Sequence, residues 1–302
     1  MKIAYLILTH SDPGHLNEMS ERILNPNVDM YVHLDKKVDV NDFNFSNKEK
    51  IKFIEKREEI TWGTNSIVKA TMNLIEAALV SGKKYDMFCL LSGQDYPLYT
   101  SSYIEKFLEQ NRNNNFIEII DSSDSRYNNY YDRVRFYYPM FMQKRGVLSK
   151  IFKKIYVFFL RKIALITSIA ERKDEVREEC FFGSEWWILN RETVEWLYKY
   201  SKKTPSFLQF FENSLVPDEA FFQTLVKKSP YASQIKESLT LVVWENNKNN
   251  AAYLTISNLV DNYRSGQKIF GRKISSTRNP EVIEFIKGLS ENEIVAYRKG
   301  SE

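Results

Sequence analysis

Short, mostly apolar runs that stop at polar residues constrain this chain most. Ile3 to Leu8, Met30 to Leu34 and Met87 to Leu91 read as central strands of a parallel sheet covered on both faces, and Ile51 to Ile54 repeats the pattern. Between them, the turn Ser11-Asp12-Pro13-Gly14 leads into a helix-like stretch, His15 to Leu24. Ser66 to Val80 has the period of an amphipathic helix. Alternation of this kind implies an α/β fold with a right-handed, mostly parallel central sheet flanked by helices. In such sheets ligands sit beyond the carboxyl ends of the strands. Thr9-His10, His33 to Asp35 and Gly93 to Asp95 are therefore expected to converge on one crevice. None of these segments matches a glycine-rich dinucleotide fingerprint or a P-loop, so neither a Rossmann dehydrogenase nor a P-loop ATPase is supported.

The 302 residues are 43% apolar, ample for a packed core, and the net charge of +4 is the small difference between 43 basic and 39 acidic residues. That balance excludes a nucleic-acid coat and leaves room for a local basic pocket facing an anion. Cys89 and Cys180 form neither a disulfide framework nor a metal-ligand spacing, which fits a reducing cytoplasm. Met1 to His10 has no small-residue cleavage site behind it and reads as a first strand rather than a leader.

Chemistry concentrates between Phe182 and Leu225. Gly183-Ser184-Glu185-Trp186-Trp187 opens that stretch and Pro217-Asp218-Glu219-Ala220-Phe221-Phe222 closes it, each setting carboxylates beside bulky aromatics. Aromatic faces stack on pyranose rings, and a carboxylate in a low-dielectric wall has its proton affinity raised toward general-base work. Each segment also has a plainly structural reading: acids in the first turn after Pro217, and tryptophans in the core. Asp121 to Tyr138 is dense in tyrosine and arginine. Lys150 to Lys173 reads as a basic amphipathic helix that packs on the domain, covers an acceptor groove or lies on an anionic membrane. Asn246 to Asn250 reads as a loop tip.

Taken in order, Leu6-Ile7-Leu8-Thr9-His10, Val32-His33-Leu34-Asp35-Lys36, Trp62-Gly63, Leu91-Ser92-Gly93-Gln94-Asp95-Tyr96-Pro97-Leu98, Gly183 to Trp187, Pro217-Asp218-Glu219 and Phe270-Gly271-Arg272-Lys273-Ile274 resemble a known family. It is the core-2/I-branching β-1,6-N-acetylglucosaminyltransferase and peptide O-xylosyltransferase family, glycosyltransferase family 14, in its short bacterial form. The resemblance covers roughly Lys2 to Ile274. It implies a GT-A type fold and inverting, metal-independent transfer of a sugar, N-acetylglucosamine or xylose, from a UDP-sugar to a hydroxyl of a glycan. No cofactor is implied.

The chain contains no Asp-x-Asp motif. The resemblance instead implies that Arg272 and Lys273 hold the diphosphate, with Asp35 on the nucleoside and Thr9, His10, Arg57, Gly93 and Asp95 lining the same crevice. Gly271 stands where the family usually has alanine, and Thr240 where it often has a further diphosphate arginine. Two residues compete as base: Glu219, which matches the catalytic glutamate of the branching enzymes and is favoured, and Glu185, at the position of the aspartate proposed as base in the xylosyltransferases. Trp186, Trp187, Asp218, Arg133 and Arg135 are the acceptor-binding candidates.

The expected organisation is one domain over 1–302, with a nucleotide-binding half (1–115), an acceptor and catalytic half (116–274) and a helical tail (275–302). The expected setting is cytoplasmic, at the inner face of the membrane, acting on a glycan or lipid-linked saccharide of bacterial surface polysaccharide synthesis. A carbohydrate-binding protein of the same fold that lost turnover is the alternative, and a nucleic-acid-binding module is disfavoured by the balanced charge.

Overall fold

The structure, a computed structural model, describes residues 1–43, 49–138, 147–166, 171–172, 175–244, 251–266, 268–290, 293–294 and 296–297. The loop tip expected at Asn246 to Asn250 lies outside the described residues. The strands are β1 (Ile3–Thr9), β2 (Val28–Leu34), β3 (Ile51–Phe53), β4 (Met87–Ser92), β5 (Asp95–Pro97), β6 (Asn115–Phe116), β7 (Ile188–Asn190), β8 (Ile235–Lys236), β9 (Thr240–Val242) and β10 (Phe270–Arg272). Seven form one sheet in the order β3-β2-β1-β4-β7-β6-β8, and β5-β10-β9 form a second, three-stranded sheet. Pairings β3-β2, β2-β1, β1-β4 and β6-β8 are parallel, whereas β4-β7 and β7-β6 are antiparallel. This mostly parallel sheet with helices on both faces is the mixed α/β architecture expected of a GT-A type fold.

Side-chain alternation along β1 divides the core. Ile3, Tyr5 and Ile7 point to one face, packed with helices Pro13–Ile23, Ser101–Gln110, Ile256–Ser265 and Pro280–Gly288. Ala4 and Leu6 point to the other face, packed with helices Ser66–Val80, Arg191–Lys203, Pro205–Glu212 and Phe221–Lys228. Burying both faces explains why β1 and β4 are apolar up to their last residue and β2 is apolar except at Asp29 and His33, rather than alternating; each fully buried Leu or Ile contributes about 1.5–3 kcal/mol over an exposed one.

Register aligns the exits of these strands. Thr9 pairs with Leu34, and Leu8 with Ser92, so the polar residues after all three strands leave the sheet at one edge. Glycine is required where they crowd: a Cβ on Gly93 would lie 2.2 Å from Thr9 Oγ1. At Gly183 a Cβ would lie 2.1 Å from the Glu118 carbonyl oxygen, which binds the Gly183–Ser184 turn tightly to the neighbouring chain. At Gly271 it would meet Leu254 and Leu98 side chains at 2.8 and 2.9 Å. Those two leucines occupy the space that an alanine methyl would need, which accounts for the glycine at that position.

Candidate active site

Two groups of polar side chains line the edge where the parallel strands end. The first surrounds Asp35, whose backbone N–H donates to the Thr9 carbonyl at 2.9 Å. Its buried carboxylate accepts from Lys37 N at 3.0 Å and Ile60 N at 3.4 Å, with Lys37 Nζ 4.0 Å away. His33 Nε2 accepts from Glu58 N at 2.7 Å, so the imidazole is neutral at that nitrogen, and burial lowers its pKa below the usual histidine value. Arg57 turns to the Val38 carbonyl at 3.0 Å and adds its field to His33. His10 stands exposed just beyond Thr9, which is buried.

The second group is built on Asp95, the first residue of β5 and fully buried. One carboxylate oxygen accepts from Ser92 N at 2.7 Å and the other from Arg272 at 2.8 Å. Burial raises the Asp95 pKa, and the Arg272 guanidinium opposes that rise. Arg272 lies at the end of β10, which pairs antiparallel with β5 and so delivers the cation to the carboxylate. Its guanidinium covers the Trp186 ring at 4.5 Å from the centroid. Lys273 follows it in the chain, its N–H donating to the Ala252 carbonyl at 3.2 Å. Thr240 pairs with Phe270 at the opposite end of β10 from Arg272.

Beside Arg272 lies a run of acids. Glu185 has one carboxyl oxygen sealed from solvent without a hydrogen-bond partner, although the residue as a whole keeps some exposure. Its pKa is raised well above the usual carboxyl value, first by burial and next by the field of Asp218, while Arg272 pulls it down. Asp218, within the single 3-10 turn Pro217–Glu219, is also buried with an unpartnered oxygen, and burial together with Glu219 pushes it up to about 7. Neighbouring carboxyls of this kind hold a proton between them near neutral pH. Glu219 differs: it forms an ion pair with Arg133, from 86 residues earlier in the chain, and that arginine lies 4.3 Å over the Tyr130 ring.

Asp218→Asn is therefore expected to stabilise the protein at pH 8 by about 2 kcal/mol, with little effect near pH 4. The sign follows from the raised pKa. Between the unfolded value and about 7 the folded state holds a proton that the unfolded state has released, so stability falls as pH rises through that window, and asparagine removes the loss. Urea unfolding at the two pH values measures it.

Several expected residues have other partners. Trp187 is buried, packs against Phe222 at 5.6 Å and offers no open face, and Trp186 is covered by Arg272, so the expected stacking wall is core. Arg135 bonds to Glu171 at 3.0 Å, and Glu171 also takes Arg177 at 2.9 Å. The exposed indole of this region is Trp62, 54% accessible, fixed beside the acid turn by the Val216 N–H donating to the Gly63 carbonyl at 3.0 Å.

Some supporting residues escaped the sequence reading. His15 is buried, accepts from Ser276 N at its Nδ1 at 3.2 Å and so donates from Nε2 to the Asp95 carbonyl at 3.0 Å. Glu118 accepts from Ser184 N at 2.9 Å, and Gln223 donates to the Ser184 carbonyl at 2.7 Å; together they clamp the segment that carries Glu185. Only the turn before His15 hinted that a helix start would point at the crevice.

A family model described as Core-2/I-Branching enzyme matches residues 3–263. Xylosyltransferase 2 of Mus musculus is 24% identical over 316 residues, covering 95% of this chain and 33% of its own. Xylosyltransferase 2 of Homo sapiens is 23% identical with the same coverage, and xylosyltransferase 1 of Canis lupus familiaris is 23% identical over 257 residues, 81% of this chain and 24% of its own. The chain thus spans about a third or less of the length of the curated relatives it matches.

Proposed function

The chain belongs to the Core-2/I-branching enzyme family, and from that premise we propose that it is an inverting glycosyltransferase, moving a sugar from a UDP-sugar to a hydroxyl of a glycan or lipid-linked saccharide without a divalent metal. The observation that supports this most is the adjacency of Arg272, held by Asp95 and Trp186, to the carboxyls of Glu185, Asp218 and Glu219. It sets an anion-binding cation next to candidate proton acceptors.

In this reading Arg272 and Lys273 bind the diphosphate, and Asp35 binds the nucleoside. Because its guanidinium is already oriented, Arg272 loses little freedom when the donor arrives. Glu219 takes the proton of the acceptor hydroxyl as that oxygen bonds to the anomeric carbon. The bond from that carbon to the diphosphate breaks, UDP leaves with the electron pair, and the cations stabilise the charge that develops on it. The ion pair with Arg133 keeps Glu219 aimed. The protonated member of the Glu185–Asp218 pair donates a hydrogen bond to a sugar hydroxyl. Xylose, by analogy with the relatives' names, and N-acetylglucosamine are the first donors to test.

The test is UDP release from a panel of UDP-sugars, with glycan acceptors and with EDTA present. Turnover that persists in EDTA is expected. Absence of turnover with every donor would remove the enzyme reading, and strict dependence on Mn²⁺ would remove its metal-free form.

A further inference from the structure

The helix Val147–Ile166 carries Ile151, Phe152, Ile155, Phe158, Phe159 and Ile163, each between 43% and 62% exposed. At 3.6 residues per turn these six fall within an arc of about 140° on one side. The half-buried positions Tyr156, Val157 and Leu160 fall on the other side. That side holds the helix to the domain: the Tyr156 hydroxyl donates to the Tyr137 carbonyl at 2.9 Å, its ring meets Tyr138 at 6.4 Å, and Arg161 bonds to Asp132 at 2.7 Å. An amphipathic helix that merely packs on its own domain turns its apolar arc inward. This one turns it outward.

Charge identifies what covers the arc. The helix sequence contains Lys150, Lys153, Lys154, Arg161 and Lys162 and no acidic residue, in a chain otherwise close to charge balance. No described helix is long and apolar enough to cross a membrane, and five cations in this one oppose a spanning role. A second copy of the chain would bring like charges together. An anionic lipid surface takes both the apolar arc and the exposed Lys154 and Lys162 beside it, whose stems reach past apolar neighbours to the phosphates, as Lys162 already reaches over Phe158 at 5.7 Å. We propose that helix Val147–Ile166 docks the protein on an anionic membrane surface, its apolar arc in the boundary between headgroups and acyl chains. This inference does not depend on the catalytic reading.

Co-sedimentation of the full chain with phosphatidylcholine vesicles, with and without phosphatidylglycerol, tests it. Binding is expected to be at least about tenfold stronger to the anionic vesicles. The Phe152→Ser/Phe158→Ser/Phe159→Ser and Lys154→Glu/Lys162→Glu variants, checked for unchanged melting temperature, are each expected to lose it about tenfold or more. No binding, equal binding to neutral vesicles, or undiminished binding by the triple-serine variant would overturn the proposal. So would a dimer, without vesicle binding, that dissociates on the serine substitutions.

Discussion

Glu219→Gln is expected to lower the transfer rate by about 10²–10⁴-fold, the usual loss when a positioned general base is removed, with the KM for the donor changed little. The amide keeps the size and hydrogen-bonding reach of the carboxylate and loses only its capacity to accept the proton. The ion pair with Arg133 is partly open to solvent, so its loss costs stability no more than about 1 kcal/mol. Glu185→Gln provides the contrast. Burial and Asp218 favour the protonated form of Glu185, and glutamine resembles a neutral carboxyl. That variant is expected to stay within about tenfold of the wild-type rate. The reverse ranking, measured by UDP release at saturating donor and acceptor, would assign the base to Glu185.

Arg272→Met is expected to have the largest effect on the folded state, because Asp95 is fully buried and would lose the guanidinium paired with it. Breaking such a pair from one side typically costs about 3–5 kcal/mol. With the guanidinium gone, the burial that raises the Asp95 pKa is opposed less strongly, and that pKa rises further. A raised carboxyl pKa removes stability as pH increases through the folded value, so the deficit is expected to be larger at pH 8 than at pH 5. Adding Asp95→Asn replaces the stranded carboxylate with a neutral amide and is expected to restore most of the stability. It is not expected to restore donor binding. Denaturant unfolding measures the first part of this double-mutant cycle and calorimetric titration with UDP the second; recovery of UDP binding in the double variant would remove Arg272 from the donor site.

Regular elements were the legible part of the sequence. The helix Ser66–Val80 has the bounds its periodicity suggests, and the largely apolar runs became β1, β2 and β4 within a residue or two, because double burial leaves an apolar signature on both faces of a strand. Three-residue strands such as β5, β9 and β10 have no period to read, so the second sheet and the meeting of Arg272 with Asp95 were not legible. The site residues could be named from their motifs, but their partners could not. A tryptophan looks the same in sequence whether it is largely exposed, as Trp62 is, or buried, as Trp187 is. The helix Val147–Ile166 shows the same limit: periodicity reports two unlike sides without saying which one meets the domain.

The second sheet joins residues made early to residues made late. Asp95 and Arg272 are 177 positions apart, and the strand carrying the arginine begins after the matched family segment has ended. Closing so long a loop is entropically slow, and the guanidinium that meets Asp95 comes from the later strand. On a ribosome the β1–β4 half can collapse before Arg272 has been made, so the Asp95 carboxylate emerges 177 residues ahead of the guanidinium that pairs with it. If Arg272 grips the diphosphate as proposed, that grip is a late acquisition of folding, a by-product of strand order.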